Sequence, residues 1–121
     1  MAIQKILVVD DSATDRYFLT ELLETAGFQV VGAESGEECL AKVTLNAPDM
    51  VLMDIIMPGL TGFQATRMLA KDAATSHIPV ILCTGKSQAT DLLWALKMGA
   101  KACITKPVVG ADLLALIKTL G

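Results

Sequence analysis

The sequence predicts a doubly wound α/β domain: one five-stranded parallel sheet, strand order 2-1-3-4-5, sandwiched between two layers of helices. Three observations carry this expectation. Five strand-length apolar stretches recur at 5–9, 28–33, 50–53, 80–83 and 102–104. They are rich in Val and Ile and mostly continuous rather than alternating, as strands covered on both faces read. Segments with helical spacing separate them, and a repeated strand–helix alternation folds with right-handed crossovers onto both faces of an open sheet.

The helical segments show apolar residues three and four apart: Leu19, Leu22, Leu23 and Ala26, then Cys39, Leu40 and Val43, and last Leu113, Leu116, Ile117 and Leu120. Ser35 with Glu38 and Thr61 with Gln64 have capping-box spacing, which marks helix starts. Gly27 and Gly99 follow helical patterns where a left-handed residue is expected as a stop. Pro48 and Pro79 stand before the third and fourth strands, where they break the helical path without removing a donor from mid-strand.

The bulk properties fit one domain over residues 1–121. A chain of 121 residues buries enough surface for a core without staples, and with 53% hydrophobic but 4% aromatic residues that core must come from aliphatic side chains and Met. No apolar run approaches the roughly 18 to 20 residues of a spanning helix, since Asp54 and Pro58 interrupt the longest candidate, so no membrane insertion is expected. The amino terminus lacks a signal-peptide cleavage pattern. Cys39, Cys83 and Cys103 lack CxxC spacing and a nearby His, which suits reduced thiols and a cytoplasmic location. A net charge of −3 with scattered Lys and Arg gives no footprint for nucleic acid, and no DNA-binding module is expected.

In the expected topology the connections leaving the first and third strands diverge to opposite faces and open a crevice at the strands' carboxyl ends. The first strand ends in Asp10-Asp11, the third in Asp54, the fourth in Thr84, and the fifth runs into Lys106-Pro107. Converging carboxylates repel one another by about 4 kcal/mol per pair at 4 Å and an effective dielectric near 20. Positive charge is therefore required. Lys106 supplies one unit, and a hard divalent cation such as Mg²⁺, which accepts carboxylates and retained waters, supplies two more. A metal-supported carboxylate is also a competent nucleophile toward phosphorus, and Asp54 is placed centrally for that role.

These residues carry a resemblance. Asp10-Asp11 after ILVV, the VLMDIIMPGLTGF stretch around Asp54, Thr84 at a strand end and the Thr105-Lys106-Pro107 turn resemble the receiver domain of two-component response regulators over essentially the whole chain. Within that family, MDIIMPGLTGFQATR and the TKPV ending most resemble the PilH-type single-domain receivers of type IV pilus, twitching-motility chemosensory systems. The resemblance implies the flavodoxin-like receiver fold and a phosphorylation-gated switch. It implies Asp54 as phosphoacceptor, with Asp11, Asp54 and the Ile56 carbonyl as Mg²⁺ ligands and Asp10 acting through water. Thr84 would bind a phosphoryl oxygen, Lys106 would ion-pair with it, and the Lys106-Pro107 bond would be cis. The implied partners are a sensor histidine kinase as phosphodonor and an output protein on the surface of the fourth helix, fifth strand and fifth helix, which could belong to the pilus motility machinery.

Departures matter too. Receivers usually carry Tyr or Phe three residues before the lysine, and here that position is Cys103, read as a small buried hydrophobe rather than a redox sensor. Ile56 and Lys86 occupy positions that tune phosphoryl lifetime in the family, and an apolar Ile56 predicts slow self-dephosphorylation. Gly85 should let the loop after Thr84 move easily. His77 is read as an exposed loop residue. Leu92, Leu93, Trp94, Leu96 and Met98 cannot all face the sheet, which leaves either a Trp94 lying over its neighbours or a Trp94–Met98 partner patch.

Two other functions compete with the switch. A Mg²⁺-dependent phosphohydrolase would also use an aspartyl phosphate, but its pattern needs a second Asp two residues after the nucleophile, where this chain has Ile56. The other is a receiver-like module that binds partners without phosphorylation, which the complete acid set, Thr84 and Lys106 argue against and Cys103 keeps open.

Overall fold

The computed structural model describes residues 3–85 and 89–120. The elements alternate without exception: β1 (Lys5–Val9), α1 (Ala13–Thr25), β2 (Gln29–Ala33), α2 (Gly36–Asn46), β3 (Met50–Asp54), α3 (Gly62–Lys71), β4 (Val80–Thr84), α4 (Ala89–Met98), β5 (Ala102–Thr105) and α5 (Gly110–Leu120). All strand pairs are parallel and the sheet order is β2-β1-β3-β4-β5, as expected.

Because side chains alternate across a strand, the continuous apolar runs divide into two cores. Leu7, Val9, Val51, Met53, Val80 and Leu82 pack with Cys39 and Val43 of α2, Ala65 and Leu69 of α3 and Ala95 of α4. Ile6, Val8, Met50, Leu52, Ile81 and Cys83 face the other way, onto Leu19 and Leu23 of α1 and Leu113 and Ile117 of α5. The chain therefore leaves β1 toward one face and β3 toward the other, which opens the crevice between them.

The helix ends follow local chemistry. Thr61 and Gln64 form the expected reciprocal box, with Gln64 N–H donating to Thr61 Oγ1 at 3.1 Å and Thr61 N–H to Gln64 Oε1 at 2.9 Å. The Ser35 box closes on one side only. Ser35 Oγ accepts the Glu38 N–H, but the Glu38 carboxylate takes the N–H of Glu34 rather than that of Ser35. Gly27 and Gly99 have φ of +100° and +112°, the left-handed stops the sequence predicts. α2 instead ends on Ala47, a non-glycine at φ 45°, immediately before Pro48.

Candidate functional site

The site is built at the carboxyl ends of β1, β3 and β4. Asp10 follows β1 directly, and its backbone is held on both sides: its N–H donates to Ala33 O at 3.0 Å, and its carbonyl accepts from Arg16 Nη1 at 2.7 Å. Its carboxylate is equally committed. Oδ1 accepts the Ser12 N–H at 2.9 Å and Oδ2 accepts from Lys106 Nζ at 2.7 Å, with Asp10 only 1% exposed. Asp11 projects to the surface beside it. Asp54 is the last residue of β3, half-buried, in register with Cys83 of β4. Carboxylate oxygens of Asp10, Asp11 and Asp54 lie within 4.8 Å of one another.

Thr84, buried at the end of β4, lies in register with Thr105, and its carbonyl accepts the Lys106 N–H at 2.8 Å. That ladder bond delivers Lys106 to the acids. Its Nζ stands 2.7 Å from Asp10 Oδ2, 2.9 Å from Asp15 Oδ2 and 3.6 Å from Asp54 Oδ2. The Lys106-Pro107 peptide is cis.

The charges leave a deficit of positive charge. Burial pushes the Asp54 carboxyl above the usual aspartate range and the neighbouring Asp10 and Asp11 charges add to this, while Lys106 opposes them. Burial alone would lower the Lys106 ammonium, but its bonds to Asp10 and Asp15 and the charge of Asp54 outweigh that and hold it above the usual lysine range. One ammonium thus serves three carboxylates, with Asp11 close by as a fourth acid. A cluster of hard oxygen donors with net negative charge suits a divalent cation of the magnesium type.

The segment after β3 is fixed by close backbone packing. Ile55 N–H donates to Cys83 O at 3.0 Å, and Gly62 N–H donates to Ile55 O at 2.8 Å. A Cβ on Gly62 would run into the Asp54 carbonyl and come within 2.8 Å of Ile55 Cα, so the first residue of α3 has to be glycine for the helix to sit this near the site. Ile56, on that same loop, turns its side chain outward and is 75% exposed.

Residues 6–118 match the response regulator receiver domain family. The chain is a response regulator receiver domain. Over 116 residues the receiver is 53% identical to Protein PilH of Pseudomonas aeruginosa, covering 96% of this chain and 93% of that protein. It is 35% identical to the phosphate regulon transcriptional regulatory protein PhoB of the same organism over 95% of this chain, which spans half (50%) of PhoB's length. Among solved structures, the receiver superimposes on the chemotaxis protein CheY4 of Vibrio cholerae with a TM-score of 0.92 at 28% identity, covering 99% of this chain and all (100%) of that one. It belongs to two-component signalling and is a signalling protein rather than a metabolic enzyme.

The fold gathers Asp10, Asp11, Asp54 and Lys106 into one pocket and ends Thr84 at the same sheet edge. Asp15 is the residue that sequence reasoning missed. Ser12-Ala13-Thr14-Asp15 has the spacing of a capping sequence, and Ser12 Oγ does accept the Asp15 N–H at 3.2 Å; that signal would have put an acid in the first turn of a helix starting at the rim. Cys103 departs from expectation, being half-buried rather than buried because it packs at the margin of the core under α4. Burial, with the Asp91 charge, raises its thiol, which keeps it protonated. The Trp94–Met98 pair is also corrected: Met98 is half-buried, and the exposed apolar side chains of α4 are Leu92, Leu93, Trp94 and Leu96. Trp94 is partly covered by Lys97, whose Nζ lies 5.4 Å from the ring centroid. His77 is exposed, as expected. Lys86 lies outside the described residues. No helix among the described residues is long and apolar enough to cross a membrane.

Proposed function

We propose that this receiver is a phosphorylation-gated switch that accepts a phosphoryl group on Asp54 from a phosphohistidine of a sensor histidine kinase. The observation that carries the reading is the convergence of Lys106 and the Asp10–Asp11 acids on the Asp54 carboxylate at the end of β3. An Asp54 oxygen attacks phosphorus, the phosphorus–nitrogen bond breaks, and the imidazole leaves with a proton from solvent. Such transfer needs mainly positioning and charge stabilisation, so this small set suffices. Lys106 offers its ammonium to the new phosphoryl oxygens, and Thr84, one strand over, offers a hydroxyl. Asp11, Asp54 and the Ile56 carbonyl would hold Mg²⁺. Asp10, with both oxygens engaged, would act on it through water. The bound ion would supply positive charge to the incoming phosphoryl group.

Nearly two added negative charges at Asp54 would bias an inactive-to-active equilibrium of the strand-end loops. The exposed Leu93 and Trp94 of α4 favour the surface of α4, β5 and α5 for an output partner. The PilH-type resemblance, with 53% identity to PilH itself, supports a cytoplasmic role in chemosensory control of type IV pilus motility.

The test is incubation with Mg²⁺ and acetyl phosphate, followed by intact mass measurement of wild type and Asp54→Asn. A base-labile phosphoryl adduct on the wild type alone is expected. No adduct, or an equal adduct on Asp54→Asn, overturns the assignment, and steady turnover of many phosphate esters points to a phosphohydrolase.

A further inference from the structure

We propose that Asp15 is a positioning residue that competes with the Asp54 phosphoryl group for Lys106, an inference that rests on the phosphoacceptor reading above. Lys106 has three N–H donors. Two are engaged, by Asp10 Oδ2 at 2.7 Å and Asp15 Oδ2 at 2.9 Å, while Asp54 at 3.6 Å is in ion-pair range but beyond hydrogen-bond range. The ammonium is thus drawn toward the start of α1, away from the residue that would carry the phosphoryl group.

The two acids that hold it are not equivalent. Asp10 is 1% exposed and its other oxygen serves the Ser12 N–H, so losing Lys106 would strand a buried charge. Asp15 has a side chain 47% exposed and sits in the first turn of α1, where water and the helix dipole both support its charge without Lys106. Asp15 is therefore the partner that lets go. When the phosphoryl group arrives, Lys106 keeps Asp10 and exchanges Asp15 for a phosphoryl oxygen. The Asp15 contact sets how readily that exchange occurs, and it transmits the exchange to the first turn of α1.

Asp15→Asn should therefore speed the labelling of Asp54 by acetyl phosphate about two- to fivefold, the range of a half-exposed ion pair. Asp15→Glu, which keeps the charge, should move it less. A purely structural effect of Asp15 would persist without the lysine, so the ratio of Asn to Asp at position 15 is also measured in Lys106→Met, where it should fall to one. An unchanged rate in Asp15→Asn, or the same ratio in both backgrounds, overturns the inference. The same pair of substitutions read by urea unfolding in metal-free buffer keeps the test open if Lys106→Met labels too slowly: coupled effects are expected, and strict additivity overturns it. Wild type that takes no label at all sinks the phosphoacceptor reading itself, whereas labelled wild type with an indifferent Asp15→Asn sinks only the role of Asp15.

Discussion

Replacing Lys106 with Met, close in length but uncharged, removes the ammonium that the acids share. At an effective dielectric near 20, the contacts at 2.7, 2.9 and 3.6 Å correspond to gross attractions of about 6, 6 and 5 kcal/mol. Most of this is cancelled by the cost of bringing the ammonium out of water. The Asp15 part shrinks further to about 1 kcal/mol or less, because that carboxylate is half in solvent. What remains is Asp10, buried and left with one hydrogen bond, and stranding such a partner costs about 3 kcal/mol. For a domain of this size the melting temperature should fall by roughly 12 °C. The assay is urea unfolding in chelator and again in saturating Mg²⁺. Because the vacated position lies among carboxylates, Mg²⁺ should bind Lys106→Met about tenfold more tightly, closing about 1.4 kcal/mol of the gap to wild type. A loss under about 1 kcal/mol, or a gap that Mg²⁺ leaves unchanged, would refute the shared-charge argument.

Three other outcomes are expected. Asp49 Oδ2 accepts the N–H groups of Gln4 at 2.9 Å and Lys5 at 3.0 Å, so Asp49→Ala should lose about 1 kcal/mol of stability in a urea titration. Those bonds hold the Asp49 carboxyl below its usual range, so its contribution is complete above the unfolded aspartate value of about 3.9 and disappears as pH falls through the lower folded value; wild type and variant should converge in acid, and parallel curves would contradict this. Gly62→Ala should cost about 1–3 kcal/mol, because its Cβ meets the Asp54–Ile55 backbone, and should slow Asp54 labelling; a variant as stable as wild type in urea unfolding would contradict the packing. With an apolar Ile56 exposed at the rim, where it offers attacking water no polar group of its own, the Asp54 adduct should decay slowly once the donor is removed, and decay within seconds by timed mass measurement would count against that role.

The fold was largely legible because burial on both faces imposes a simple code. Runs such as Ile6-Leu7-Val8-Val9 and Val51-Leu52-Met53 leave no solvent face, and the polar residues that end them mark the rim where the crevice opens. Asp10, Asp11, Asp54 and Lys106 were found that way. Asp15 was not, because an acid in a first helical turn is ordinarily explained by capping and the dipole alone, and only the fold brings Lys106 across to it. Ala47 gives no glycine signal for its left-handed φ. The outward face of α4 was ambiguous for a related reason: with Leu92, Leu93, Trp94, Leu96 and Met98 nearly encircling the helix, periodicity cannot say that Ala95 is the residue turned inward.

Diffraction from crystals soaked in Mn²⁺, a magnesium substitute with a usable anomalous signal, tests the claim at the centre of this account. One peak is predicted at the carboxyl edge of the sheet, within about 2.0–2.3 Å of carboxylate oxygens of Asp11 and Asp54 and of the Ile56 carbonyl, and none there in Asp54→Asn. A peak bound elsewhere, or a pocket that stays empty at saturating Mn²⁺, would contradict it.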